Sequence, residues 1–263
     1  MNNYDDKVWQ LCLLLRSITE IVCAPQINKG QIVYLQSAIE EYLFTRAQLF
    51  PSVPLRPKHH YLAHYPTLIV KFGPLIRSWT LRFESKHSYF KRCARQSRNF
   101  KNICSTLANR HQLLQTYIHT DNSVFTDLDI KNYNEFHVEL YSENLRKIIP
   151  SNLFDKTNTV ITYDLSIKGT DYKKGSFLPI SEDCEISFCE ILMILIKNNN
   201  EVFFVVQNFE TTFISQLGVY EISSKNKEFF LISKTDLIDY YPLQAYEIGG
   251  SRYICLHHAI ESS

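Results

Sequence analysis

Apolar residues at Val8, Leu11, Cys12, Leu15, Ile18 and Val22 recur every three or four positions, so residues 5–23 predict an amphipathic helix. Asp5 and Asp6 fall in its first turn, where negative charge suits the helix dipole, and Pro25 stops it. A second helix is predicted over residues 30–50, with Ile32, Leu35, Ile39, Leu43 and Leu49 on its apolar face and the PSVPLRP stretch as its end. Residues 58–72 predict a third helix, or two short ones around Pro66, closed by Gly73-Pro74. A fourth is expected over 81–97 and a fifth over 100–119, because neither Pro nor Gly interrupts the chain between Thr80 and Thr120.

A short linker, 121–134, leads to one more expected helix over 136–148, which Pro150 terminates. From Thr159 the periodicity changes. TVITYDLSI, GSFLPI, ISFCEILMILI, EVFFVVQNF, FFLISK and SRYICLHHAI are β-branched and aromatic runs separated by polar clusters, which predicts five or six strands. Their order is similar to that of small SH3-like barrels of the Tudor or BAH sort. The expected fold class is therefore α+β, an all-helical N-terminal half followed by a small SH3/Tudor/BAH-like β-barrel. The expected division is a helical domain at 1–120, a linker and connecting helix at 121–150, and an acidic β domain at 151–263.

Charge sharpens this division. The formal net charge is only +1, yet residues 56–111 carry twelve Lys/Arg and five His against one carboxylate, Glu84. Residues 112–263 carry twelve basic and twenty-one acidic side chains. Such a basic segment points to a polyanion: Lys and Arg neutralise phosphates and release counterions without reading sequence. If the helix at 81–97 runs one residue further, Glu84, His87, Lys91, Arg95 and Arg98 share a narrow stripe, with Phe83, Phe90 and Ala94 to one side. Arg82, Lys86, Lys91, Arg92, Arg95, Arg98 and Lys101 are the candidate nucleic-acid contacts. The competing use of this face is docking on the acidic C-terminal half of the same chain. Glu84, for its part, has a plain structural role open to it, pairing with His87, Arg77 or Lys91.

The remaining chemistry is thin. Seven scattered cysteines and a polar, acidic start, MNNYDDKVW, fit reduced thiols in an intracellular protein without a signal peptide, and the longest apolar run is too short for a membrane helix. No phosphate-binding Gly-rich loop and no G-x-S-x-G elbow occurs. His59, His60 and His64 have partial metal-ligand spacing, as do Cys184, Cys189, Cys255, His257 and His258, but neither set has the pattern of a dedicated site, and no metal or other cofactor is expected from them. Tyr163, Tyr172, Phe177, Phe204, Phe209 and Tyr241 are sufficient in type to line a methyl-lysine cage, which would make the β domain a reader of protein partners; filling the domain's core is their ordinary use.

Several elements of the basic segment stand together: Pro57-Lys58-His59-His60, His64-Tyr65-Pro66, Phe72-Gly73-Pro74-Leu75, Trp79, Arg82-Phe83-Glu84-Ser85-Lys86-His87, Phe90-Lys91-Arg92 and Asn99-Phe100-Lys101-Asn102. This segment resembles the C-terminal part of CACTA-type (EnSpm) DNA transposase-like proteins. The resemblance implies an RNase H-like core holding divalent metal with three acids, and Glu84 would correspond to the third. The first two acids and their sheet are not expected here, since only 83 residues precede Glu84 and they carry no βαβ pattern. The reading is therefore a nuclear, non-catalytic nucleic-acid-binding remnant or co-opted fragment of a transposase. The alternatives are a protein-interaction module acting through the β region, and a transposase subunit whose other metal-binding acids come from a second chain.

Overall fold

Alternation of side chains across a strand places neighbouring residues on opposite faces, and the apolar run 191–196 needs both faces covered. The computed structural model, which describes residues 6–98, 100–120, 128–153, 159–182, 185–197 and 201–260, shows how this is met. Strands β1 (Leu128–Glu135), β2 (Thr159–Ile167), β3 (Thr170–Lys173), β4 (Phe177–Glu182), β5 (Glu185–Lys197), β6 (Val202–Ile214), β7 (Val219–Ser233), β8 (Ala245–Ile248) and β9 (Ser251–Ile254) form one sheet. Its order is β1-β2-β5-β6-β7-β9-β8, with β3 pairing to β2 and β4 to β5, and the named pairs are antiparallel. Ile191, Ile194, Ile196, Phe204 and Val206 pack in one core with Leu165, Tyr172 and Leu178. Met193, Leu195 and Val205 pack on the other side, against Phe136, Ile149 and Leu153. That second layer comes from residues 136–153, which hold a 3₁₀ turn (Val138–Leu140), helix α7 (Glu143–Ile148) and a second 3₁₀ turn (Ser151–Leu153).

The helices of the N-terminal half lie close to their expected limits: α1 Lys7–Val22, α2 Lys29–Leu49, α3 Pro57–Leu62, α4 Tyr65–Phe72, α5 Leu81–Ser97 and α6 Ile103–Thr120. Local chemistry sets their starts. Asp6 caps α1 by accepting from Val8 N (2.8 Å), while Asn28 and Gln31 form a reciprocal capping box on α2. Helices α1, α2 and α4 bury Leu11, Ile18, Ile21, Leu35, Ile39 and Ile69 in a core of their own.

Two expectations need correction. The helix expected over 136–148 is α-helical only at Glu143–Ile148, because Phe136 is pinned as a fully buried core side chain. The expected barrel is an open sheet: β1 and β8 end the pairing order, and the described residues form nine strands where five or six were expected. The added strands β1, β3 and β8 are short or almost wholly exposed, so they lack the apolar alternation by which strands are read from sequence.

One compact unit joins Met1–Ile76 to Leu128–Ser263, and a second comprises Arg77–Asp127. Residues 128–135 belong to the first because they pair with β2 from Leu128↔Ile167 to Glu135↔Val160. Helix α1 belongs there because it docks on the β6–β7 turn. Trp9 Nε1 donates to the Gln216 carbonyl (2.8 Å), and Arg16 Nη1 donates to that of Leu217 (3.0 Å). Arg16 also donates to Glu20 (2.7 Å) and to the Cys255 sulfur (3.1 Å), and Ala259 N donates to the Glu20 carbonyl (3.0 Å). Gly218 sits in that turn at φ 66 with a would-be Cβ 3.1 Å from Arg16 Nη1, so both conformation and space call for glycine.

Phe204 is fully buried beside Tyr172, their rings 5.2 Å apart. Phe204→Ala should cost about 3–5 kcal/mol, read as a lowered urea midpoint without a change of slope. Burial pushes the Cys189 thiol up to about 12 from the ordinary 9.0. At pH 8 native Cys189 should therefore resist iodoacetamide while the exposed Cys12 and Cys104 react. Because the folded-state value is the raised one, this group's share of stability is whole below pH 9.0 and is lost as pH climbs toward 12.

Candidate nucleic-acid interface

Helix α5 begins after the Gly73-Pro74 break and runs without interruption through the most basic part of the chain. It ends at Ser97, and Arg98 adopts the left-handed conformation (φ 48) with its N–H donating to the Ala94 carbonyl. The helix thus does not extend through Arg98. The reversal nevertheless leaves Arg98 lining a surface groove of about 650 Å³ together with Ser88, Lys91, Arg92, Arg95 and Gln96. Four cations and no carboxylate face this groove. Separations of three and four residues bring Ser88, Lys91, Arg92, Arg95 and Gln96 onto neighbouring turns of one helix side.

The other candidate contacts lie elsewhere. Lys86 precedes Lys91 by five residues, about 140° around the helix, and does not line the groove. Lys101 is exposed beyond the helix end and is outside the groove. The backbone of Arg82 is helical, but its side chain, like that of Phe83, lies outside the described residues.

Glu84 is exposed in the first turn of α5, where its charge favours the helix dipole. It is the sole carboxylate among residues 77–120. Among the described residues, no group of three or more His, Cys, Asp or Glu is placed to hold a metal ion. Glu84 also stands seven residues before Lys91, about 10 Å along the same stripe, and so marks its N-terminal limit.

The smaller constellations have other occupations. His60 of α3 and His64 in the turn that follows it do meet, though not on one helix face, their Nε2 atoms sharing a hydrogen bond at 3.0 Å, while His59 Nδ1 accepts from Arg56 N (2.9 Å). Cys189 is buried and donates to the Leu178 carbonyl, Cys255 meets Arg16, and His258 pairs with Asp239 (3.3 Å) in a buried contact. Cys184 lies outside the described residues. Of the rings suited to a cage, Tyr172, Phe177, Phe204 and Phe209 are core residues. Lys174 lies over the partly exposed Tyr163 ring, 5.3 Å from its centroid, and Tyr241 packs edge-on to His258. The buried Asp239–His258 pair was not legible in advance, since 18 intervening positions and no shared motif separate its members.

Comparison with family models, with curated proteins and with solved structures finds no match to this chain. Among the described residues, no helix is long and apolar enough to cross a membrane.

Because Glu84 is exposed and acts chiefly on the helix terminus, Glu84→Gln should change unfolding stability by less than about 1 kcal/mol. A loss several times larger in a denaturant titration would show that the carboxylate is structural in a way its exposure does not suggest.

Proposed function

We propose that this chain is a non-catalytic nucleic-acid-binding protein whose contact surface is the basic side of α5. The observation that carries the reading is the groove in which Lys91, Arg92, Arg95 and Arg98 converge without a carboxylate. Four cations on one short surface repel each other, and a chain of phosphates relieves that repulsion while releasing counterions. The acidic C-terminal half has cations of its own: Lys131 lies 3.9 Å from both Asp164 and Asp171, and Lys173 4.0 Å from Asp164. This local pairing favours an external polyanion over an internal one as the partner of α5.

The likeness of residues 57–102 to transposase-like proteins agrees with DNA as that polyanion, and with a remnant or co-opted fragment acting in the nucleus. A binding role also suits the donor set, since a two-metal centre needs several converging carboxylates and residues 77–120 supply Glu84 alone. The SH3/Tudor/BAH-like reading of the β region gains no support from its aromatic residues, most of which fill the core.

Four phosphate contacts predict a slope of roughly −3.6 in log affinity against log salt for a labelled duplex. Replacing Arg92 and Arg95 together by Ala should weaken binding and reduce that slope by roughly 2. Absence of binding at low salt, or binding insensitive to salt, would remove the phosphate-contact function.

A further inference from the structure

The basic groove does not stand alone. Beside it, between α5 and α6, is a second groove of about 630 Å³ whose lining is largely apolar and includes His87, Phe90, Ala94, Leu107 and His111. Lys91 lines both grooves. Two of the rings at its wall, Phe90 and His111, have centroids 5.7 Å apart at an interplanar angle of 37°, and Tyr89 packs against both, 5.3 Å from Phe90 and 6.3 Å from His111, without lining the groove. The smaller unit therefore presents a cationic track alongside a ring-walled apolar slot.

We propose that the nucleic acid taken by this unit is single-stranded, its phosphates on Lys91, Arg92, Arg95 and Arg98 and one base stacked in the Phe90–His111 slot. This rests on the nucleic-acid reading above and adds the strandedness of the ligand. A duplex keeps its base faces stacked and paired inside, so it can satisfy the cationic track but leaves the slot empty. An unpaired strand offers phosphates and base faces together, and stacking on aromatic side chains accepts any base. The dimensions agree. From Phe90 to Ser97 the helix rises about 10 Å and Arg98 stands just beyond its end, room for a short run of phosphates from one strand. Charge also limits the track at one end, because Glu84 lies on the same stripe beyond Lys91 and repels phosphate. The strand's backbone is thereby confined to the Arg98 side.

The test uses the full chain, a fluorescently labelled strand of about 12 nucleotides, and the same strand annealed to its complement, compared by anisotropy at low salt. The single strand should bind at least tenfold more tightly than the duplex, as expected for one stacked base. Phe90→Leu, which keeps bulk but removes the ring, should bring that preference close to unity, and Phe90→Tyr should restore it. Should Phe90→Leu lose its thermal unfolding transition, the unaltered chain can be photo-crosslinked to a strand carrying 5-bromodeoxyuridine; adducts should then map within residues 87–111. Equal affinity for strand and duplex, or a preference indifferent to Phe90→Leu in a folded variant, overturns the inference and leaves nucleic-acid binding standing. Adducts confined to other segments likewise overturn it. Failure to bind either form removes both readings.

Discussion

The double burial of the sheet's centre is the constraint on which the larger unit depends. Successive residues of β5 and β6 enter different cores: Ile194 and Phe204 face one, Leu195 and Val205 the other. A shift of one residue in register would exchange the two sets completely, so pairing and packing specify each other. Each such side chain contributes roughly 1.5–3 kcal/mol on burial, but only while something covers each face. Residues 136–153 are therefore not a spacer: Phe136, Ile149 and Leu153 are the cover for one face. Bulges between Ile191 and Met193, and at two points between β6 and β7, let these long strands bend while retaining their ladders.

A second requirement follows from joining a helical core to that sheet. Arg16 does so by hydrogen bonding, with its guanidinium distributed among Glu20, the Leu217 carbonyl and Cys255. A planar group with five donors suits this task better than an ammonium, because it reaches three acceptors in fixed directions. Gly218 leaves the room it needs. The C-terminal stretch adds to the junction: Ala259 packs against the helical core, and His258 is held by Asp239. Sequence ends that look unrelated thus meet in one unit.

The smaller unit follows a different logic, in which charge rather than apolar burial is concentrated. Among its described residues helix α5 buries Cys93, whereas Lys91, Arg92 and Arg95 are exposed and converge on one side. Concentrating like charge in this way costs stability through self-repulsion. The helix ends at Ser97, and Arg98, in the left-handed conformation, still lines the groove.

Helix positions were legible in the sequence because their signals are local. Three- and four-residue spacing, Asp6 and Asn28 as caps, and Gly73-Pro74 as a break fix α1, α2 and α4 without reference to distant residues. The strongly apolar strands β2, β5 and β6 were legible for the same reason, and so was the cationic character of α5. What only the tertiary structure decided is non-local. The exposed strands β1, β3 and β8 are defined by hydrogen bonds to partners, not by their own pattern. Whether the sheet closes depends on whether its terminal strands meet, and periodicity carries no information about that. Which of seven basic candidates share a groove, and that a ring-walled slot adjoins it, depends on where α5 ends and how α6 packs beside it. Sequence set the kind of chemistry in residues 81–111; three-dimensional packing chose the side chains that act together.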